Sequence, residues 1–243
     1  MNNIQEMTVG AMVVADYRTA KVFSKYGVDF CCNGNRSIED ACLQGNVNLQ
    51  QLKEELENVT TSAPVKDTVN DYNSWPLDLL ADYIEKKHHR YVKEQLPVLT
   101  GYLDKIGNVH GEAHPELLQI KKLFGFSAAE LFGHMQKEEL MLFPYIRQLA
   151  LFSDGKGEKV IAPFGTIQNP IRMMTNEHDS EGQRFRAMRE LSDNYTTPPD
   201  GCNTYRTAYS LLDAFEKDLH LHIHLENNIL FPKAIALEQK LFA

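Results

Sequence analysis

Histidine and glutamate recur at helical spacing in two stretches of the second half of the chain. His134 is followed four residues later by Glu138, and His222 is followed four residues later by Glu226. Each stretch continues with Leu-Phe-Pro at the same distance from its histidine. Residues four apart lie on the same face of an α-helix, so each stretch directs one imidazole and one carboxylate to one side. The repeat therefore indicates a duplicated element with metal-binding chemistry.

Two further histidines extend the repeat. His178 lies 44 residues before His222, and His89 lies 45 residues before His134. His88 competes with His89 for the first of these positions. The residues that follow His89 at helical spacing are more apolar than those that follow His88, and the spacing between the two halves of the repeat also favours His89.

Four imidazoles and two carboxylates on apolar helix faces predict a metal centre. A single His-x-x-x-Glu is more often a surface pair, but two copies with matched upstream histidines are hard to obtain by chance. Imidazole with carboxylate and no thiolate suits non-haem iron, although zinc or manganese could occupy the same donors. Two carboxylates can bridge two ions, and six ligands leave open positions for oxygen, nitric oxide, peroxide or water. The predicted ligands are His89, His134, Glu138, His178, His222 and Glu226.

Long helices must carry these ligands, and the sequence predicts four of them. They run over about 75–107, over about 115–150, from a cap at Asn169 followed by Pro170, and from about Asn203 to near the C-terminus. With no strand pattern, the fold class is all-α, an up-down-up-down four-helix bundle. Residues 1–60 predict a small helical domain, residues 61–74 a polar linker, and residues 75–243 the bundle.

Composition narrows the possible classes of function. The formal net charge of −8, without a basic cluster, disfavours a nucleic-acid partner. No window resembles a membrane span, and the first residues lack the features of a signal peptide, so we expect a cytoplasmic protein. Four cysteines in 243 residues fit reduced thiols better than a disulfide framework. The short helices of the small domain predict a homodimer, because they offer little core by themselves.

The chain resembles a known family over nearly its whole length. The marks of the resemblance are Asp29-Phe-Cys-Cys32, the His134 and His222 stretches, Glu177-His178-Asp179, and His89 followed by Glu94-Gln-Leu-Pro97. The bundle resembles a haemerythrin-like domain, and the whole chain resembles the di-iron proteins of the repair-of-iron-centres family.

This resemblance implies a function and a set of cofactors. It implies two non-haem iron ions in an oxo- or hydroxo- and carboxylate-bridged centre, with the four histidines as ligands and Glu138 and Glu226 as bridges. It implies repair of iron–sulfur clusters damaged by nitrosative and oxidative stress, by iron donation or by removal of nitric oxide. Damaged iron–sulfur proteins would be its partners. The alternatives are an oxygen or nitric oxide carrier or sensor, a nitric oxide reductase, and an iron store or ferroxidase. Oxygen-carrying haemerythrins use a fifth histidine and an aspartate, and this chain has no matching spare histidine on the ligand faces.

Other residues carry weaker signals. Cys31 and Cys32 are either a reactive thiol pair or two small residues that pack beside Phe30. Glu130 and Glu177 are either solvated helix residues or groups that hold a ligand imidazole. Cys42 and Cys202 are expected to be structural, and His110, His114, His220 and His224 are expected to lie outside the ligand set.

Overall fold

The computed structural model describes residues 7–62, 71–159 and 161–242. In these ranges the chain is helical, with one isolated antiparallel bridge between Thr8 and Ser37 and no regular strand. The predicted all-α fold is confirmed. None of the described helices is long and apolar enough to cross a membrane.

Two compact units divide the chain. The terminal unit combines Met1–Leu80 with Ile223–Ala243, and the central unit is Ala81–His222. This division differs from the predicted domains at 1–60 and 75–243. Most of the predicted linker at 61–74 lies outside the described residues, namely its positions 63–70. The domain boundaries and the homodimer remain predictions.

The terminal unit is built from short capped helices. Thr8, Ser37 and Asn48 each accept a hydrogen bond from a backbone N–H in the first turn of the helix that follows. The second and fourth helices pack together, and the first packs against the turn Glu226–Leu230. These helices are α1 (Val9–Ala15), α2 (Thr19–Lys25), α3 (Ile38–Gly45) and α4 (Leu49–Thr61).

Within the described ranges, three of the four long helical rods contain a stretch of π-helix. Ile84–His89 joins α5 (Leu77–Tyr83) to α6 (Arg90–His110), Glu138–Leu142 joins α7 (Glu116–Lys137) to α8 (Phe143–Ser153), and Glu226–Leu230 joins α10 (Asn203–Leu225) to α11 (Phe231–Phe242). The remaining rod is α9 (Gln168–Leu191).

The two later π turns end directly before a Phe-Pro pair. Pro144 and Pro232 lack the backbone N–H that an α-helix would use to bond the carbonyl four residues earlier. A π turn widens the helix at such a position and keeps it continuous. At Pro144 the helix continues from the π turn Glu138–Leu142 into α8. π turns are frequent at functional sites, and each of the three contains a predicted ligand: His89, Glu138 or Glu226.

Aromatic side chains form much of the central unit's core. Phe215 of α10 stacks on Phe185 of α9 at a centroid distance of 5.7 Å and meets Phe124 of α7 edge-on at 5.8 Å. The start of α9 corrects one prediction, because the helix begins at Gln168 and Asn169 lies inside it. Instead of capping the helix, the Asn169 amide donates to the carbonyl of Phe164 over 3.1 Å.

Candidate metal centre

The structure brings four predicted histidines together as two close pairs. The Nε2 atoms of His89 and His222 lie 3.1 Å apart, and those of His134 and His178 lie 3.0 Å apart. All four side chains are at least 96% buried. Two nitrogen atoms bound to one metal at about 2.1 Å and at right angles would stand about 3.0 Å apart. Each pair is therefore spaced as two ligands of one ion.

Glu138 connects the two pairs. Its Oε2 atom lies 3.4 Å from Nε2 of His89 and 3.3 Å from Nε2 of His134. The carboxylate is completely buried, and Glu138 is the first residue of the π turn that follows α7. His89, Glu138 and His222 form one group of possible metal donors, and His134, Glu138 and His178 form the other. Glu138 thus takes part in both groups.

Glu226 occupies the corresponding place in the last rod. It opens the π turn that continues α10 and lies four residues after His222 in one uninterrupted helix. Its side chain is also completely buried. The helix geometry directs the carboxylate along the face that carries the His222 imidazole.

A carboxylate holds the outer nitrogen of His89. Nδ1 of His89 lies 2.8 Å from Oε1 of Glu139, and Lys93 contacts the same carboxylate at 2.7 Å. The hydrogen bond from His89 lowers the pKa of Glu139 to about 2. Since an ionised carboxylate can only accept, Nδ1 carries the proton and Nε2 keeps its lone pair.

The same arrangement recurs at His134. Its Nδ1 donates to Oε2 of Glu177 over 2.8 Å, and Lys137 binds the other oxygen of that carboxylate. The hydrogen bond from His134 lowers the pKa of Glu177 to about 2. Both imidazoles are thereby held in the tautomer that a metal requires, and the Nε2 atom of each faces its partner histidine.

Two family models match parts of this chain. Residues 80–234 match the Hemerythrin HHE cation binding domain, and residues 5–60 match a domain of unknown function, DUF542. The chain is 34% identical to the probable iron-sulfur cluster repair protein of Haemophilus influenzae, over 88% of this chain and 90% of that protein.

Two further relatives cover almost the full length. The chain is 32% identical to the iron-sulfur cluster repair protein ScdA of Staphylococcus epidermidis, over 95% of this chain and 99% of that protein. It is 33% identical to the iron-sulfur cluster repair protein YtfE of Yersinia pestis, over 95% of this chain and 97% of that protein. The chain belongs to this family of iron–sulfur cluster repair proteins. The predicted family resemblance is confirmed, and the histidines and glutamates of this family member fit a metal site.

Glu130 and Glu177 differ in their surroundings in this repair-family chain. Both line a cavity of about 200 Å³ that also reaches His134 and His178. Glu177 holds an imidazole, whereas Glu130 makes no hydrogen bond within the described part of the chain. The cavity therefore borders the second histidine pair, His134 and His178.

The positions of His88 and His89 show which of the two lies beside the other candidate donors. His89 lies among the donor atoms, whereas His88 does not belong to either group. His88 is nevertheless completely buried, and its Nδ1 lies 3.1 Å from Asp218. Its ring stacks on His222 at a centroid distance of 5.7 Å. His88 therefore supports the ring of His222 from the side.

Sequence reasoning missed Glu139 and Asp218. Their imidazole partners lie 50 and 130 residues away along the chain. Glu139 follows a predicted ligand directly, which is the one local signal that points to it. The helix rotation that directs the Glu139 carboxylate at His89 cannot be predicted from the spacing of residues in the sequence.

Cys31 and Cys32 lie in the terminal unit, and neither forms a disulfide bond. Two asparagines that directly follow Glu226 hold the loop that carries them. Asn227 donates to the carbonyl of Cys31 over 3.1 Å, and Asn228 donates to the carbonyl of Phe30 over 3.2 Å. Asn228 also bonds Nδ1 of His224, whose ring packs against Phe30.

Proposed function

We propose that the chain repairs iron–sulfur clusters damaged by nitrosative and oxidative stress, and that it does so with two non-haem iron ions. Support for the repair function comes from the names of the relatives, which match this chain over most of its length. Support for two ions comes mainly from Glu138, whose Oε2 lies within 3.4 Å of one imidazole from each histidine pair. A carboxylate in that position suits a bridge between two ions.

In this proposal each histidine pair serves one iron. His89 and His222 would hold the first ion, His134 and His178 would hold the second, and Glu138 would be a ligand of both. Glu226 is the second bridge, as its burial and its place four residues after His222 suggest. A bound pair of ferrous ions supplies redox chemistry, open positions for nitric oxide or oxygen, and iron that can pass to a damaged cluster.

The chain's own residues would prepare the site for this chemistry. Glu139 and Glu177 keep the Nδ1 protons of His89 and His134, so that both imidazoles remain neutral ligands. The cavity beside His134 and His178 would admit nitric oxide or let iron leave. Iron donation and removal of nitric oxide both use this access, and damaged iron–sulfur proteins would be the clients.

The decisive experiment combines iron analysis with a repair assay. Protein purified from iron-replete cells is analysed for iron and by Mössbauer and spin-resonance spectroscopy. It is then incubated with an iron–sulfur enzyme inactivated by nitric oxide. The wild type should hold about two irons per chain and restore the enzyme, because the donor atoms form two groups of ligands.

A matched pair of variants distinguishes loss of a metal ligand from a general loss of stability. His222→Ala removes a buried ligand, whereas His220→Ala removes a partly exposed histidine two residues earlier in the same helix. We expect the first variant to lose iron and repair and the second to retain both. Full repair by His222→Ala, or a folded wild type with well under one iron per chain, would refute the proposal.

A further inference from the structure

A preformed loop surrounds the two adjacent cysteines. Oδ1 of Asp29 accepts hydrogen bonds from the backbone N–H groups of Cys31, over 3.1 Å, and Cys32, over 2.9 Å. Its Oδ2 accepts from the Asn33 amide over 2.8 Å. The carboxylate is therefore held in place beside both thiols.

The donor atoms of this loop have the spacing of metal ligands. The Sγ atoms of Cys31 and Cys32 lie 3.7 Å apart, and Sγ of Cys31 lies 3.4 Å from Oδ1 of Asp29. Two sulfur atoms bound to one tetrahedral ion at about 2.3 Å would stand about 3.8 Å apart. A sulfur and a carboxylate oxygen on the same ion would stand about 3.6 Å apart. Both observed distances agree with these values to within about 0.2 Å.

The electrostatics of the loop favour a cation over a free thiolate. Cys31 is buried, and its Sγ atom lies beside both the Asp29 carboxylate and the second sulfur atom. Reactive cysteines lie instead in electropositive surroundings that lower the pKa. Two thiolates beside a carboxylate would carry three negative charges in one place. A divalent cation compensates that charge, whereas a nucleophilic role would leave it unbalanced.

We propose that Asp29, Cys31 and Cys32 bind one thiophilic divalent metal ion of the Fe²⁺ and Zn²⁺ class. This site has its own ligands, goes beyond the proposed function and does not depend on it. On binding, two metal–sulfur bonds and one metal–oxygen bond form, and the two thiol protons pass to solvent. No electron is transferred. Three protein ligands leave a fourth position open, as in exchangeable metal sites and unlike closed structural ones.

The backbone around the site is held before any ion arrives. Asn227 and Asn228 bind the carbonyls of Cys31 and Phe30. Gly34 lies so close that a Cβ atom there would stand 2.5 Å from the Phe30 carbonyl oxygen. Cys31 is 3% exposed, whereas Cys32 is partly exposed. An ion can therefore approach from the Cys32 side and find its ligands already in position.

Cobalt titration of the full-length protein tests the proposal. With the histidine–glutamate centre saturated first, Co²⁺ is added anaerobically to reduced protein, and absorption and proton release are followed together. We expect one further equivalent to bind with a thiolate-to-cobalt charge-transfer band in the near ultraviolet, and about two protons to be released per ion. Zn²⁺ and Fe²⁺ should then displace the cobalt and abolish the band.

Variants assign that band to its ligands. Cys31→Ser and Cys32→Ala should abolish it, and Asp29→Asn should weaken cobalt binding roughly tenfold or more. Cys42→Ser and Cys202→Ser are matched controls that should keep the band. Circular dichroism and retention of the first metal equivalents show that each variant is folded. Absence of the band in the wild type, or its persistence in folded Cys31→Ser and Cys32→Ala, would overturn the proposal.

Discussion

The imidazole of His134 donates a hydrogen bond from Nδ1 to Oε2 of Glu177 over 2.8 Å. Lys137 binds the same carboxylate. His89 makes the same kind of contact with Glu139, and Lys93 binds that carboxylate. Carboxylates that hold ligand imidazoles in this way fix the ring orientation and raise the basicity of the metal-binding nitrogen.

Removal of the Glu177 carboxylate should weaken metal binding without unfolding the protein. We expect Glu177→Ala to lower the affinity for divalent metal about 10–100-fold, since the His134 ring loses its orientation. Glu177→Gln should lose less, because its amide oxygen can still accept the bond. Competition with a chromophoric chelator measures both. Glu130→Ala is the matched control from the same cavity and should bind as the wild type does. Equal losses in Glu130→Ala and Glu177→Ala would contradict this role.

Substitution of Glu138 distinguishes a site for one metal ion from a site for two. Glu138→Gln keeps the volume of the side chain but replaces a charge that a bridge requires, so metal content should fall from about two ions to one or fewer. The metal-free variant should be at least as stable as the metal-free wild type, because burying a carboxylate costs free energy. Metal analysis and urea unfolding of the metal-free proteins check the two parts. Two tightly bound ions in Glu138→Gln would show that the bridge lies elsewhere.

Helical spacing places His134 above Glu138 and His222 above Glu226, so the repeat predicted a candidate donor set, which stays a prediction. The apolar stripes of helical period predicted the all-α fold, which is confirmed. Thr8, Ser37 and Asn48 belong to the residue types that favour helix N-caps, and each caps a helix in the structure.

The contacts between side chains of different helices could not be predicted from the sequence, because they depend on how the helices rotate against each other. Glu130 and Glu177 were equally plausible neighbours of a ligand, and packing of α7 against α9 determines that Glu177 meets His134. The π turns were missed for a related reason. A proline indicates a disturbed helix, but the way in which the helix absorbs it depends on the surrounding contacts.

Cys202 was expected to be structural, yet it is exposed and lies 3.3 Å from Nε2 of His110. This hydrogen bond, helped by the N–H groups of Tyr205 and Thr204, lowers the pKa of the thiol to about 7. The thiolate should therefore dominate above about that pH.

Alkylation kinetics test this shift. The rate of carboxamidomethylation of Cys202, followed by peptide mass spectrometry, should rise with a midpoint near pH 7. In His110→Gln the midpoint should move up towards the ordinary value of about 8.5. At pH 7 the wild type should react roughly three- to fourfold faster than the variant, since a larger thiolate fraction outweighs the lower nucleophilicity of a more acidic thiol. Cys42, which is buried, serves as the internal reference. Identical midpoints in the two proteins would exclude His110 as the cause.

Gly10 and Asn228 come closer than any larger residue at position 10 would allow. A Cβ atom on Gly10 would stand 2.5 Å from Oδ1 of Asn228 and 3.0 Å from the carbonyl oxygen of Gly34. Gly10→Ala should therefore cost about 1–3 kcal/mol in the free energy of unfolding, despite the higher helix propensity of alanine.

Gly125→Ala is the matched control for this substitution, because Gly125 also lies in a helix but has open space around its Cβ position. That change should stabilise the protein by up to about 1 kcal/mol. In an Asn228→Ala background the cost of Gly10→Ala should shrink, with a coupling of about 0.5–3 kcal/mol between the two positions. Urea unfolding of the metal-free proteins gives the stability changes of Gly10→Ala, Gly125→Ala, Asn228→Ala and the Gly10→Ala/Asn228→Ala double variant. If Gly10→Ala and Gly125→Ala changed the stability in the same direction, the close approach of Asn228 would have no energetic consequence.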